Sequence, residues 1–490
     1  MPQAKPNIIH GAFLAIAMRW TDRLIGLLST IILARILVPA DFGIIATASI
    51  VIALADVLLE MGVYMVLMQT KAPTPAHYDT AWTIRLIQTS IMTVGVLLAA
   101  PFAAEYFNNP ELTAVIRILA FTFLLEGLEN IWIITLQKDQ QYTRDFRFMF
   151  SKRFAGFVIT VAGAVITQSY WALIAGTLGG RLTGVILSYV MDRRHPRFTL
   201  EKFRDIFSLS QWVWVQSIAQ YFQFRLHEIV VASRESSSVM GTYTLAGQIA
   251  AIPTSELLAP LNRVLFPAFV KVKEDLTELK RVFLLAQSVQ ALIAVPAAVG
   301  MTLVAREIVT ILLGEKWLTA APVIEVLALL GCFTAITSSG FYVLSTLGKF
   351  RIIAMYAWIQ VALFAALAYL VFPDAGADTV ARLRLVLAAF GLIAFTVFLC
   401  RELPGLNASD MARSIARPAF GAAVMYGGVV AIEPLLHLPL FLGLVIKITA
   451  GALLYAVSVL LAWRISGSKS GAESFVLERL AYPALRRLNR

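Results

Sequence analysis

The sequence predicts an all-α polytopic membrane protein, and three observations carry that prediction. The 490 residues are 59% hydrophobic and 14% charged, with a mean hydropathy of +0.77, against roughly 45–50% apolar and about 25% charged residues in soluble domains. Apolar runs of about twenty residues, the length a bilayer requires, recur from one end of the chain to the other, so one helical body replaces the roughly three soluble domains that length alone would suggest. With the amino terminus placed inside, the inner segments hold 27 Lys and Arg and the outer loops hold 5, the bias expected of cytoplasmic loops.

Breaking the runs at Pro, Gly and charge clusters places fourteen helices. The first, 11–37, stops before Pro39, and the second covers 42–68. The third, 78–103, ends at the acidic "AEYFNNPE", and the fourth covers 112–137. The fifth and sixth, 146–167 and 170–191, lie between the basic segments 138–153 and 193–204. The seventh covers 206–231, and the eighth, 239–266, contains Pro253 and Pro260. The ninth is 280–302, followed by "LVAREIVTILLGEKWLTA" (303–320), an outer loop or an interfacial helix. The tenth and eleventh, 321–347 and 351–372, flank Gly348-Lys349, and the acidic "FPDAGAD" precedes the twelfth, 382–400. The last two cover 415–433 and 440–463. Both termini are then cytoplasmic. The amino-terminal run is too long and too charged for a signal peptide and reads as a retained helix. The tail "SFVLERLAYPALRRLNR" alternates Leu with Arg as a helix lying on an anionic inner leaflet would. The net charge of +11 is mostly this topology signal and leaves no case for nucleic acid. Cys332 and Cys400 both fall in apolar runs and offer neither a disulfide framework nor a metal site.

Ionisable groups at bilayer depth are costly unless they face protein or water, so each is a functional candidate. Arg35, Arg263 and Lys447 sit near helix ends, where snorkelling accounts for them. Arg19, Asp22 and Arg23 are spaced to share one face of the first helix, either as a structural ion pair or as a binding surface. Asp56 and Glu60 lie one turn apart in the second helix. Both cannot stay ionised cheaply unless Arg23 or another cation joins them, which makes them the expected ion couplers. Arg85, Arg117, Glu126, Glu129 and Arg181 add charges in helices three, four and six. In the seventh, Trp212, Gln216, Gln220, Gln223 and His227 form one stripe, suited to sugar hydroxyls or to interhelical hydrogen bonding. Arg225 and Glu228 are spaced to pair with each other.

A shift of 198 residues lays "IILARILVPADFGIIATA" (31–48) over "IVVASRESSSVMGTYTLA" (229–246), matching Ile31, Ala34, Gly43 and Ala48 to Ile229, Ala232, Gly241 and Ala246. Internal repeats of this kind are common in secondary transporters. The stretches "LARILVPADFGIIATASIVIALADVLLEMGVYMVLMQ" (33–69), "FNNPEL" (107–112) and "MGTYTLAGQIAAIPTSELLAPLNRVLFPAF" (240–269) resemble bacterial polysaccharide-repeat flippases, members of the superfamily that also contains multidrug and toxin extruders.

The resemblance implies two six-helix lobes, 1–205 and 206–400, around a central cavity, then two further helices (401–463) and a cytoplasmic amphipathic tail (464–490). It implies alternating access that carries a polyprenyl-diphosphate-linked oligosaccharide from the inner to the outer leaflet of the cell (inner) membrane, for exopolysaccharide, capsule or O-antigen. Arginine suits a diphosphate, so Arg19, Arg23, Arg85 and Arg117, with Asp22, are the expected head-group site, and Gln216, Gln220 and Gln223 the expected sugar site. No phosphate-binding loop is present, so a proton or sodium gradient is the expected drive, coupled through Asp56 and Glu60. No cofactor is expected. Further partners are membrane lipids and the polysaccharide polymerase and chain-length machinery. Two rivals stand beside this reading: a multidrug extruder of the same superfamily, which the arginines disfavour, and a membrane enzyme of polysaccharide assembly, which would carry a larger outer loop with acid and base residues.

Overall fold

The computed structural model describes residues 8–59, 66–68, 70, 73–203, 211–435, 438–467 and 471–476, without side chains at 8–13, 15, 211–216 and 475–476. Every predicted helical segment carries a helix. They are α1 (Ile8–Ile36), α2 (Pro39–Leu59), α3 (Pro75–Tyr106), α4 (Glu111–Leu128), α5 (Tyr142–Thr167), α6 (Trp171–Met191), α7 (Gln211–Arg234), α8 (Ser237–Lys271), α9 (Leu276–Ile308), α10 (Ala321–Thr346), α11 (Phe350–Ala366), α12 (Ala377–Glu402), α13 (Ala408–Ile432) and α14 (Leu440–Ile465). Among the described residues, ten helical stretches are long and apolar enough to cross a membrane, and α1, α4, α7 and α8 are not among them. Large apolar side chains such as Ile166, Leu370 and Ile465 are more than three-quarters exposed, the inverse of a soluble surface.

Local chemistry sets the helix ends. At the start of α3, Thr74 and His77 form a reciprocal capping box ahead of Pro75, satisfying otherwise orphaned N–H groups. The Asp275 carboxylate accepts from the N–H groups of Thr277 and Glu278 at the start of α9, and Asn407 with Asp410 caps α13. In α8, Pro253, Pro260 and Pro267 all lie within one continuous helix.

Two units are described separately, residues 1–241 and 242–490. In the first, Leu67, Tyr78, Trp82, Ile131 and Trp132 form one core cluster, and Leu33, Leu37, Ala164 and Ala172 form another. α5 and α6 approach to backbone distance, since a Cβ on Gly176 would fall 1.7 Å from Thr160 Oγ1 and 2.8 Å from the Gly156 carbonyl. Beyond α6, the basic segment that begins at Arg193 is docked along the start of α3. Asp79 Oδ1 accepts from Arg197 N, Thr83 Oγ1 from Thr199 N, and Thr80 Oγ1 from Lys202 N. Buried Asn130 donates to the carbonyls of Asp192 and Arg194. The Arg194 guanidinium lies 4.0 Å from the Trp132 ring centroid and pairs with Asp192, which holds that carboxyl below its ordinary range. In the second unit, Phe269, Leu279, Phe283, Phe395 and Leu399 are the centre of the main cluster.

Two segments take a definite form and one expectation, for Lys447, changes. Residues 303–320 are mostly helical: α9 runs to Ile308, and a wide turn (Val309–Leu313) leads through Gly314, at φ +102°, to a tight helical segment (Glu315–Ala320). The tail begins as a short helix, Ala472–Val476, whose Glu473 is buried and paired with Arg417 of α13; the rest of the tail lies outside the described residues. Lys447 does not snorkel. It is 7% exposed, and its Nζ donates to Glu307 Oε1 at 2.6 Å and Glu433 Oε1 at 2.7 Å.

Candidate functional site

The charges of the first unit converge on Glu126. Its Oε1 lies 3.1 Å from Arg85 Nη2 and its Oε2 lies 3.1 Å from Arg181 Nη1, so α3, α4 and α6 are joined through one carboxylate. Asp56, toward the end of α2, is solvent-exposed and feels the charges of Glu126 and Arg181. The Arg85, Glu126 and Arg181 side chains keep 25%, 29% and 34% of their surface accessible. They are therefore half-open on apolar helices, Arg85 and Arg181 well inside α3 and α6 and Glu126 in the last turn of α4, where only water or a polar ligand can meet such groups. Two guanidinium groups and two carboxylates make a cluster whose formal charges balance.

A second chain of ion pairs runs beside it. Glu129, 7% exposed, bonds Lys152 Nζ at 2.7 Å. Asp22 pairs with Arg153 Nε at 2.9 Å, with both side chains more than half exposed. Arg19, Asp22 and Arg23 are all exposed on α1. Arg117 stands apart. It lies nine residues before Glu126 on α4, or about 13.5 Å and half a turn out of phase, and is exposed.

Of the amide stripe on α7, Gln220 is exposed, Gln223 half-buried and His227 buried, while the side chains of Trp212 and Gln216 lie outside the description, as does the whole of Glu60. Arg225 and Glu228 pair as their spacing predicts. Tyr221, between the two described glutamines, donates from its hydroxyl to the Ile50 carbonyl of α2 at 2.9 Å.

Sequence reasoning counted Lys152 and Arg153 only as topology charges and passed over a buried amide pair in the second unit. Gln290 Nε2 donates to Asn262 Oδ1 and Ser338 Oγ, both at 3.0 Å, and Gln287 Oε1 accepts from Ser414 Oγ at 3.0 Å. The available signal was two glutamines three residues apart within an apolar run.

A helical membrane body with charges gathered inside it has the make-up of a transporter. The comparisons with known proteins agree. The family model described as "Polysaccharide biosynthesis protein" matches residues 32–322, and the chain belongs to that family, one of flippase-like multi-pass membrane transporters rather than enzymes. The lipopolysaccharide biosynthesis protein WzxC of Escherichia coli is 28% identical over 64% of this chain and 64% of its own length, so the chain spans somewhat under two-thirds of that relative. The teichuronic acid biosynthesis protein TuaB of Bacillus subtilis is 24% identical over 85% of this chain and 87% of its own. In fold, the lipid II flippase MurJ in an inward closed conformation superposes with a TM-score of 0.75 at 12% identity, covering 92% of this chain and 99% of that one.

Proposed function

We propose that this protein moves a polyprenyl-diphosphate-linked oligosaccharide repeat unit from the inner to the outer leaflet, using an ion gradient. The observation that carries the reading is the Arg85–Glu126–Arg181 cluster with Asp56 beside it, set half-open among apolar helices. A diphosphate offers the planar, multidentate oxygens that guanidinium groups recognise. In the absence of substrate, Glu126 occupies both arginines. Protonation of Asp56 leaves net positive charge for the diphosphate, and loss of that proton restores the balance of charge and expels it. Anion and proton therefore compete for one set of contacts, which is the differential affinity that coupling requires.

Arg19 and Arg23, exposed on α1, extend the head-group site, with Asp22 held to Arg153. Gln216, Gln220 and Gln223 meet the sugars, and Glu60 joins Asp56 in coupling. All fourteen helices cross the membrane, both termini are cytoplasmic, and residues 1–205 and 206–400 act as the two pseudo-repeated lobes. Support comes from the family membership and from the relatives' printed roles in lipopolysaccharide and teichuronic acid biosynthesis.

The test is reconstitution with a polyprenyl-diphosphate oligosaccharide in proteoliposomes. Arg85→Ala and Arg181→Ala are expected to abolish transport at normal yields of folded protein, and the lysine variants to recover only part, since a point charge replaces a planar fork. Normal transport by both alanine variants would remove the cluster from the substrate path. A deletion strain should accumulate the lipid-linked unit on the inner leaflet.

A further inference from the structure

The segment that follows α6, RRHPRFTLEKF (193–203), is basic and apolar at once. Arg194 is taken up by Asp192 and the Trp132 ring, and His195 stacks on Tyr189 with ring centroids 5.8 Å apart. Arg193 and Arg197 are exposed and form no ion pair among the described residues. With Lys202 they outnumber the one nearby exposed acid, Glu201. Between and beyond them stand large apolar side chains: Phe198 is 75% exposed, Leu200 50% and Phe203 39%.

The segment is fixed in place by its backbone. Asn130 holds the carbonyls of Asp192 and Arg194, and the N–H groups of Arg197 and Thr199 both turn to α3, onto Asp79 and Thr83. Alternate residues facing one way is the habit of an extended chain, so Phe198 and Leu200, also two apart, leave on a common side. Its depth follows from α3, whose 32 residues span about 48 Å against roughly 30 Å of hydrocarbon. The first turns of α3, which carry His77 and Asp79, are the polar end of that excess length and stand at headgroup level, and the docked segment stands there with them.

We propose that residues 193–200 form a preordered docking surface for anionic phospholipids: Arg193 and Arg197 hold the headgroup phosphates, and Phe198 and Leu200 enter the boundary with the acyl chains. Unpaired guanidinium groups match the charge of an anionic leaflet, and apolar side chains flanking them are what an interfacial segment buries. A flexible loop would lose freedom on meeting the bilayer, whereas this one is already ordered by α3 and Asn130. The surface is independent of the cargo the protein carries.

The test places a nitrobenzoxadiazole fluorophore at Glu201→Cys, an exposed neighbour outside the proposed contacts, in the full-length protein with Cys332→Ala and Cys400→Ala. The protein is reconstituted in phosphatidylcholine nanodiscs containing a little phosphatidylglycerol or phosphatidylcholine that bears a nitroxide at the top of one acyl chain. Each arginine at a surface of opposite charge contributes about a five-fold preference, so phosphatidylglycerol is expected to quench as if enriched about 25-fold over phosphatidylcholine. The preference should shrink as salt is raised. Arg193→Gln with Arg197→Gln should bring the two lipids to parity at normal yields of folded protein, since neither side chain holds the segment in place. A preference that survives this pair overturns the roles of the two arginines. Phe198→Ser with Leu200→Ser should weaken quenching by both lipids, and unchanged quenching removes these side chains from the acyl boundary. Equal quenching by the two lipids while both arginines are present overturns the anion recognition. Quenching by aqueous iodide and by neither lipid puts the segment in water and overturns the membrane contact itself.

Discussion

Lys447→Met is the sharpest test of the packing, because two views of that residue differ several-fold in what they predict. The substitution keeps the length of the side chain and removes its charge. Lys447 is 6% accessible, Glu307 13% and Glu433 56%. Losing one partner of a buried ion pair costs about 3–5 kcal/mol, because the other charge stays buried and unpaired; that applies to Glu307. Glu433 is more than half exposed and rehydrates, so its share is about 0–1 kcal/mol. The expected loss is therefore about 3–5 kcal/mol, nearly all of it through Glu307. Lys447→Met combined with Glu307→Gln should recover most of the loss, and Glu433→Gln alone should cost no more than about 1 kcal/mol. The assay is reversible denaturation of the detergent-solubilised protein, read by intrinsic fluorescence. A snorkelling lysine would lose no more than about 0.5 kcal/mol, as surface changes do, and that result, or a double variant no better than the single, would refute the triad.

Glu126→Gln with Arg85→Met, taken as a double-mutant cycle, should show a coupling of about 1–2 kcal/mol, since the pair is charge-assisted but partly open to water; independent effects would mean that the two do not meet. Gly176→Ala should lower stability even in a Thr160→Ala background, because the Gly156 carbonyl still stands 2.8 Å from the new Cβ; thermal unfolding reads it, and an unaffected midpoint would contradict the α5–α6 approach. Asp192 has its pKa lowered chiefly by the hydrogen bond from Arg194. Its contribution is therefore full above the ordinary carboxylate range and is lost as pH falls through its lowered value. Asp192→Asn should flatten that acid limb of stability while leaving the neutral-to-alkaline profile unchanged. Reporters fused after Lys71, Arg147, Arg197 and Lys273 should read cytoplasmic and those after Asn108 and Asp374 external; two adjacent loops on one side would break the topology.

Much of the architecture was legible in the chain. A bilayer imposes one length and one composition on every crossing segment, so apolar runs broken by Pro, Gly and charge mark the helices, and their ends moved by only a few residues in most cases. The site was legible only as an inventory. Arg85, Glu126 and Arg181 stand out because lipid excludes charge, yet nothing in their spacing shows that one carboxylate serves both arginines, since they come from three helices. Arg117 looked equivalent to Arg85 and is turned half a revolution away from Glu126. Lys152 and Arg153 looked like topology signals and are ion partners of Glu129 and Asp22.

By itself, then, the sequence determined what the solvent dictates: membrane residence, the helical segments, the bias of positive charge and the set of residues too costly to leave in lipid. Only the tertiary structure decided the pairings, namely Glu126 between two arginines, Lys447 between two glutamates, and Gly176 against the Gly156 carbonyl. The reason is physical. Segment placement follows from the transfer energy of each residue and is local and nearly additive, whereas an ion pair or a glycine crossing depends on which faces of separate helices meet, and the rotation of each helix is set by packing along its whole length.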